Sequence, residues 1–277
     1  MKIKKWKKFA LNFLKKINNS NLDIEVLLSY VLKKPRSWII CYDNYYLNLK
    51  EIKKLNKLLI RRFYNEPLAY LIHRKEFWSL NFFVSNKTMI PRPDSEILIE
   101  QSLIKIKNNS YKILDLGTGC GNIAISIAYS KSNCYVTGID YSSEIINIAK
   151  YNANKFNLKN INFICSNWFN SIFNKKYHII VSNPPYISYK EFFYLQENLR
   201  FEPITALIAK NNGFSDIIKI IKYSQNHLFN RGWLFIEHGW TQKKIVQKFF
   251  KQYHYINIKT YKDYSGRNRV TSGQKYY

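Results

Sequence analysis

Asn183-Pro184-Pro185-Tyr186, directly after the apolar run Tyr177 to Val181, is the stretch whose residue types point most narrowly to one kind of chemistry. Two consecutive prolines end a strand and leave carbonyls with no adjoining N–H to engage them. Asn183 offers a side-chain carbonyl and Tyr186 an aromatic face, so the loop can accept two hydrogen bonds from a planar NH2 group and stack on it. The four residues read as a clamp for an amide or an exocyclic amine. Taken alone they are also compatible with an ordinary strand-ending turn.

A clamp of that kind needs an electrophile. Ile113-Leu114-Asp115-Leu116 is an apolar strand running into Gly117-Thr118-Gly119-Cys120-Gly121, with a helix opening at Asn122. A second apolar run, Cys134 to Ile139, ends in Asp140, about twenty residues past the loop, where a carboxylate can take the two hydroxyls of a ribose. Trp168 follows a third strand and stands where an adenine ring would lie at the same crevice; a core or rim aromatic is its plainer reading. The glycines alone also fit a nicotinamide-binding fold. Their G-x-G-x-G spacing, with no pyrophosphate to cradle and a clamp downstream, favours S-adenosylmethionine as the ligand.

The elements that must position these residues alternate as a parallel α/β sheet requires. Strands are predicted at 112–116, 135–140, 161–165, 177–182, 232–237, 255–260 and 269–275. Helices are expected at 122–130, 142–156, 214–229 and 241–252, and a further one from Ser95 to Lys107 with Asp94 as its N-cap. Only Asp263 to Gly266 separates the last two strands, which should pair antiparallel. A seven-stranded doubly wound sheet with an antiparallel end is the arrangement of class I methyltransferases. Upstream, amphipathic segments at 3–17, 23–33 and 49–63 predict a small N-terminal helical bundle. Glu76 to Val84 changes to an aromatic and β-branched pattern that reads as a short hairpin. Two domains follow, 1–75 and 76–277.

The 277 residues carry 44 Lys and Arg against 18 Asp and Glu, a net charge of +26. Such an excess ordinarily points to nucleic acid or an anionic membrane. Lys, Asn, Ile, Tyr and Phe are all abundant here and share codons built mostly of A and T, so the charge is weak evidence for either. The four cysteines form no C-x-x-C pair, which fits a reduced, cytoplasmic chain. The five histidines lack ligand spacing, so no metal is expected. The basic start Met1 to Lys8 is not followed by a long apolar run, and no stretch is apolar and long enough to span a bilayer.

Over nearly its whole length the chain resembles the peptide chain release factor glutamine methyltransferases, called PrmC or HemK. The resemblance rests on Pro91-Arg92-Pro93-Asp94-Ser95-Glu96, on Asp115 to Gly121, on Asn183 to Ile187, and on Arg200-Phe201-Glu202-Pro203-Ile204-Thr205-Ala206-Leu207. The first and last of these are much narrower than the glycine loop and clamp, which many methyltransferases share. The resemblance implies methylation, from S-adenosylmethionine, of the side-chain amide nitrogen of the Gly-Gly-Gln glutamine in release factors 1 and 2. It also implies that the helical N-terminal domain helps to dock that protein. Gly117, Thr118, Gly119, Cys120, Gly121, Asp140, Trp168 and Asn183 would contact the donor. Asn183, Pro184, Pro185 and Tyr186 would hold the glutamine, with Asn183, Pro184 and Tyr186 as the catalytic set. A cytoplasmic monomer needing neither nucleic acid nor membrane is expected.

The chain departs from the family pattern at three places. Ile72-His73-Arg74 stands where Thr-Gly is common, Asn167 replaces an aspartate beside the tryptophan, and Ser95 replaces a threonine while keeping the hydroxyl. Three alternatives remain at this point. A DNA adenine methyltransferase uses the same clamp but normally adds a recognition domain. A ribosomal-protein glutamine methyltransferase shares sheet and clamp. A module that binds without transferring the methyl group is the third.

Overall fold

The computed structural model describes residues 1–107, 110–194 and 197–277, which divide into two compact units. The first runs from Met1 to Arg74 and includes the short 3-10 turn Glu197–Phe201. Its helices are α1 (Ile3–Phe13), α2 (Ser20–Leu32), α3 (Arg36–Cys41), α4 (Leu49–Phe63) and α5 (Leu68–Ile72). Apolar residues at helical spacing, among them Trp6, Leu27, Leu28 and Leu55, are fully removed from water in a shared core. The reading of one helix over 3–17 is shortened, because the chain turns after Leu14 and Asn19 adopts a left-handed conformation before α2. Two acids that α2 buries are each met by cations: Asp23 by Arg62 at 2.6 Å, and Glu25 by Lys7 at 3.1 Å and Arg36 at 2.8 Å. The bond from Arg36 holds the Glu25 carboxyl below its usual range against the opposing effect of burial. Within this unit Asn65 also donates to Glu197 at 2.7 Å, tying the late turn to the bundle.

The second unit opens with the antiparallel hairpin β1 (Lys75–Phe77) and β2 (Leu80–Phe82). A 3-10 turn, Pro93–Ser95, leads into α6 (Glu96–Leu103). Then come β3 (Lys112–Leu116), α7 (Asn122–Ser130), β4 (Tyr135–Asp140), α8 (Ser143–Lys155), β5 (Ile161–Cys165) and β6 (Tyr177–Ser182). Three four-residue turns of helix follow, α9 (Tyr189–Phe192), α10 (Ile204–Leu207) and α11 (Lys210–Gly213). The chain closes with α12 (Ser215–His227), β7 (Leu228–Glu237), α13 (Lys243–Gln252), β8 (Tyr255–Lys262) and β9 (Asn268–Lys275).

The main sheet has the order β5-β4-β3-β6-β7-β9-β8. Its first five strands in that order are parallel, while β9 runs antiparallel to both β7 and β8, as the short Asp263–Gly266 connection requires. The parallel strands β3 and β6 are buried almost along their length and read as near-continuous apolar runs because helices cover both faces. Strand order reverses between β3 and β6, so the crevice at their carboxyl ends is the topological switch point at which such sheets bind ligands.

Asp94 does not cap α6. Its carboxylate reaches Arg269 at 3.2 Å, and a prolyl 3-10 turn precedes the helix instead. The helix stops at Leu103 rather than Lys107, with a turn formed by Lys105 and Ile106 donating to Ser102 and Leu103. The α9–α11 turns lacked a readable period, since each is shorter than the window that periodicity needs.

Gly213, at the end of α11, links this irregular stretch to the loop after β6. Its φ is +88°, and a Cβ there would stand 2.2 Å from the Tyr186 carbonyl oxygen. Gly266 has φ +78° with open space around it. Gly213→Ala should therefore lower the thermal midpoint by roughly 3–10 °C, and Gly266→Ala by clearly less, since only the first adds a collision to the backbone strain. Melting followed by circular dichroism separates the two variants; equal shifts would show that the contact with Tyr186 relaxes freely.

Candidate active site

The glycine loop leaves β3 through two hydrogen bonds to one acceptor. Gly117 and Thr118 both donate to the Ile139 carbonyl, at 2.9 and 2.8 Å. Gly117, Gly119 and Gly121 all have positive φ, between +55° and +84°, which residues with side chains rarely adopt. At Gly117 the missing side chain leaves the Trp168 ring 3.6 Å from where a Cβ would sit. Gly121 stands behind the loop at the start of α7, where a Cβ would meet Ile125 at 2.8 Å and Ala149 at 3.2 Å. Its glycine lets the loop approach α8. Asn152 on α8 fastens the arrangement by donating to the carbonyls of Cys120, at 2.9 Å, and Phe83, at 3.0 Å.

Two acids anchor the loop from below. Asp140 accepts from the Gly119 N–H at 2.9 Å, and burial raises its pKa against backbone N–H groups that favour the charge. Asp115 accepts from the Thr118 hydroxyl at 2.6 Å and from the Ala124 N–H at 3.2 Å, all on Oδ2. Its Oδ1 is buried without a partner among the described residues, and burial pushes the carboxyl up to about 7.

These residues open onto one cavity of about 310 Å³. Gly117 to Cys120, Asp140, Trp168, Asn183 and Pro185 all line it, so the structure brings together residues spread over nearly seventy positions of sequence. Gly121, Pro184 and Tyr186 lie outside the lining. Pro184 is buried. Tyr186 packs part of its ring against the core, and its hydroxyl faces the Glu237 carboxylate at 3.4 Å. Burial, followed by the neighbouring Glu237 charge, raises the tyrosine pKa. The Asn183 amide nitrogen donates to the Ser95 hydroxyl at 3.1 Å.

Several contributors escape a reading by residue type. Thr205 and Ala206 of α10 and Pro203 line the cavity, and the Tyr141 hydroxyl meets Thr205 at 2.9 Å. Glu202, 4% exposed, accepts from the Ile90 N–H at 3.0 Å and from the Arg92 guanidinium. The two narrow motifs, Pro91 to Glu96 and Arg200 to Leu207, thus meet at Glu202. Their unusual wording was the available signal, but nothing in either announced that one would brace the other.

A family model described as a methyltransferase domain matches residues 107–272, and one described as the PrmC N-terminal domain matches residues 5–72. The release factor glutamine methyltransferase of Buchnera aphidicola subsp. Acyrthosiphon pisum is 52% identical over 276 residues, covering 100% of this chain and 99% of its own. That of Escherichia coli K12 is 38% identical over 276 residues, covering 100% of both. Among solved structures, the hMettl16 catalytic domain in complex with MAT2A 3′UTR hairpin 6 aligns with a TM-score of 0.62 at 14% identity, over 90% of this chain and 92% of its own. That likeness bears on the fold alone. With the sheet order, the glycine loop and full-length similarity at 38–52% identity in agreement, the chain belongs to the release factor glutamine methyltransferase family.

Proposed function

We propose that this enzyme transfers a methyl group from S-adenosylmethionine to the side-chain amide nitrogen of the glutamine in the Gly-Gly-Gln motif of release factors 1 and 2. The observation that carries the reading is that Asn183 lines the same cavity as the glycine loop, with its amide nitrogen already engaged by Ser95. Its oxygen is thereby left for an incoming NH2 group.

The residues present fit the donor. The cavity is within the range of small-ligand sites, about 300–1,000 Å³. Asp140 offers a carboxylate to ribose hydroxyls, and Trp168 and Ile123 supply apolar wall. The Trp168 ring stands within van der Waals range of the Gly117 position. When bound, S-adenosylmethionine supplies an electrophilic methyl carbon on a sulfonium.

An amide nitrogen is a poor nucleophile because its lone pair is delocalised into the carbonyl. Hydrogen bonds from both of its N–H groups to the Asn183 side-chain oxygen and the Pro184 carbonyl would fix it and favour positive charge building on it. Water can take the proton that the methylated nitrogen sheds, so no side chain is required as a base. Pro185 lines the cavity with Asn183.

The helical unit is the proposed dock for the release factor. Among the described residues no helix is long and apolar enough to cross a membrane, and no group of three His, Cys, Asp or Glu residues is placed to hold a metal ion. The reaction is proposed to run in the cytoplasm, on a monomer and without nucleic acid.

Mass spectrometry of release factor incubated with enzyme and labelled donor is expected to show one added methyl on the Gly-Gly-Gln glutamine; label on adenine in DNA, or on a ribosomal protein instead, would overturn the substrate. Asn183→Ala should cut kcat by about 10²–10³-fold, the scale of losing one preorganised partner of developing charge, while the thermal midpoint moves by no more than about 4 °C. Wild-type turnover in that variant would remove Asn183 from the mechanism. Asp140→Ala should weaken donor binding by about 10–100-fold in isothermal titration, since hydrogen bonds to a charged group contribute about 1.5–3 kcal/mol.

A further inference from the structure

The two ends of the Asn183 side chain are alike in shape and opposite in hydrogen bonding. Only the oxygen can accept from a substrate NH2 group; turned end over end, the amide would present two more donors and repel it. Something other than shape must choose. The amide nitrogen donates to the Ser95 hydroxyl at 3.1 Å, and Ser95 is 1% exposed at the end of the Pro93–Ser95 turn. The large majority of hydroxyls so buried send their single proton to a protein acceptor or an ordered water.

Sheet register points to one acceptor. Ser182 on β6 is paired with Ile236 on β7, so the next residues, Asn183 and Glu237, leave adjacent parallel strands side by side. Glu237 is 1% exposed. Its Oε1 faces the Tyr186 hydroxyl at 3.4 Å, a long bond, and its buried Oε2 has no hydrogen-bond partner among the described residues. Burial pushes this carboxyl up to about 7, against which the Ser95 hydroxyl acts by favouring the charge. A serine that gives its proton to Glu237 has only lone pairs left for Asn183 and can face nothing but the NH2 end of the amide.

We propose that Ser95 and Glu237 are positioning residues: Glu237 takes the Ser95 proton, Ser95 serves only as acceptor, and the pair holds Asn183 with its oxygen toward the cavity. The role of the pair in catalysis rests on the reading of Asn183 as the clamp for the substrate amide. Tyr186 steadies the same carboxylate, so the last residue of the clamp acts on the first through Glu237. Ser95 supplies the one group the device needs, its hydroxyl.

Three variants test it. Ser95→Ala should lower kcat about tenfold, the effect of losing one hydrogen bond, with donor affinity changed less than about twofold. Ser95→Thr, which restores the hydroxyl, should recover most of the rate. Glu237→Gln keeps the shape but offers an NH2 group to Ser95, lets the serine proton turn toward Asn183, and should lower kcat to a similar degree. In nitrogen-15-labelled protein, hydrogen exchange at the Asn183 side-chain amide should quicken about tenfold in Ser95→Ala and return in Ser95→Thr. Wild-type exchange and kcat in Ser95→Ala, or a Ser95→Thr variant as slow as Ser95→Ala, would overturn the proposal. If the wild-type enzyme transfers no methyl to release factor, the substrate reading fails, and the exchange measurement alone decides whether Ser95 orients Asn183.

Discussion

The buried hydrogen bond from the Ser182 hydroxyl to the Leu116 carbonyl, 2.7 Å long, joins the two strands at the point where strand order reverses. Leu116 is the last residue before the glycine loop and Ser182 the last before Asn183. Leu116 is also paired with Ile139, whose carbonyl takes the first two N–H groups of that loop. One register therefore sets where the loop, Asp140 and Asn183 stand relative to one another. A slip of one residue would turn every side chain of the strand to the opposite face and dismantle the cavity along with the core. Fold and cavity share this constraint, which is why strongly apolar strands run up to the residues that line it.

The site also concentrates polar groups that a stable core would avoid. Asp115 and Glu237 each bury a carboxylate with one oxygen short of a partner, and both are pushed up to about 7. His238, next to Glu237, is fully buried and depressed to about 4, chiefly by burial, so it stays neutral while its ring bonds the Gly239 carbonyl and the Thr271 hydroxyl. Burying polar groups with incomplete partners costs stability. Asp115 and Glu237 stand at the carboxyl ends of β3 and β7. By contrast the acids buried in the helical unit are fully met by Arg62, Lys7 and Arg36, as a purely structural arrangement would be.

Much of this was legible because the strongest signals are local. β3, β4, β5 and β6 have the bounds that apolar runs and their punctuation predict, and the short Asp263–Gly266 turn foretold the antiparallel end. The Asp94 cap was misread because Arg269, 175 residues away, competes for its carboxylate. Tyr186 was read as a stacking face, yet part of its ring is held in the core and its hydroxyl answers to Glu237, whose position follows only from the pairing of β6 with β7. The α9–α11 turns escaped notice because four-residue pieces, two of whose residues, Asn211 and Asn212, are left-handed, carry no period. In each case the missing information was a long-range partner or too short a window.

That limit also explains why the glycine loop and the Asn183-to-Tyr186 stretch point to a kind of chemistry but not to a family. Both are built from neighbours in sequence and serve any ligand that fits the switch point. Beyond them lies a brace between distant pieces. Glu202 takes the Ile90 N–H and the Arg92 guanidinium, which seats the Pro91-to-Ser95 turn. The same turn delivers the Ser95 hydroxyl to Asn183, while Pro203, Thr205 and Ala206, immediately after Glu202, form cavity wall. A single buried acid thus couples the segment that carries Ser95 to the segment that bounds the cavity. Removing its charge would disturb both at once, although Glu202 itself lies outside the cavity lining. Motifs that read as two independent family marks are, in physical terms, the two halves of one support.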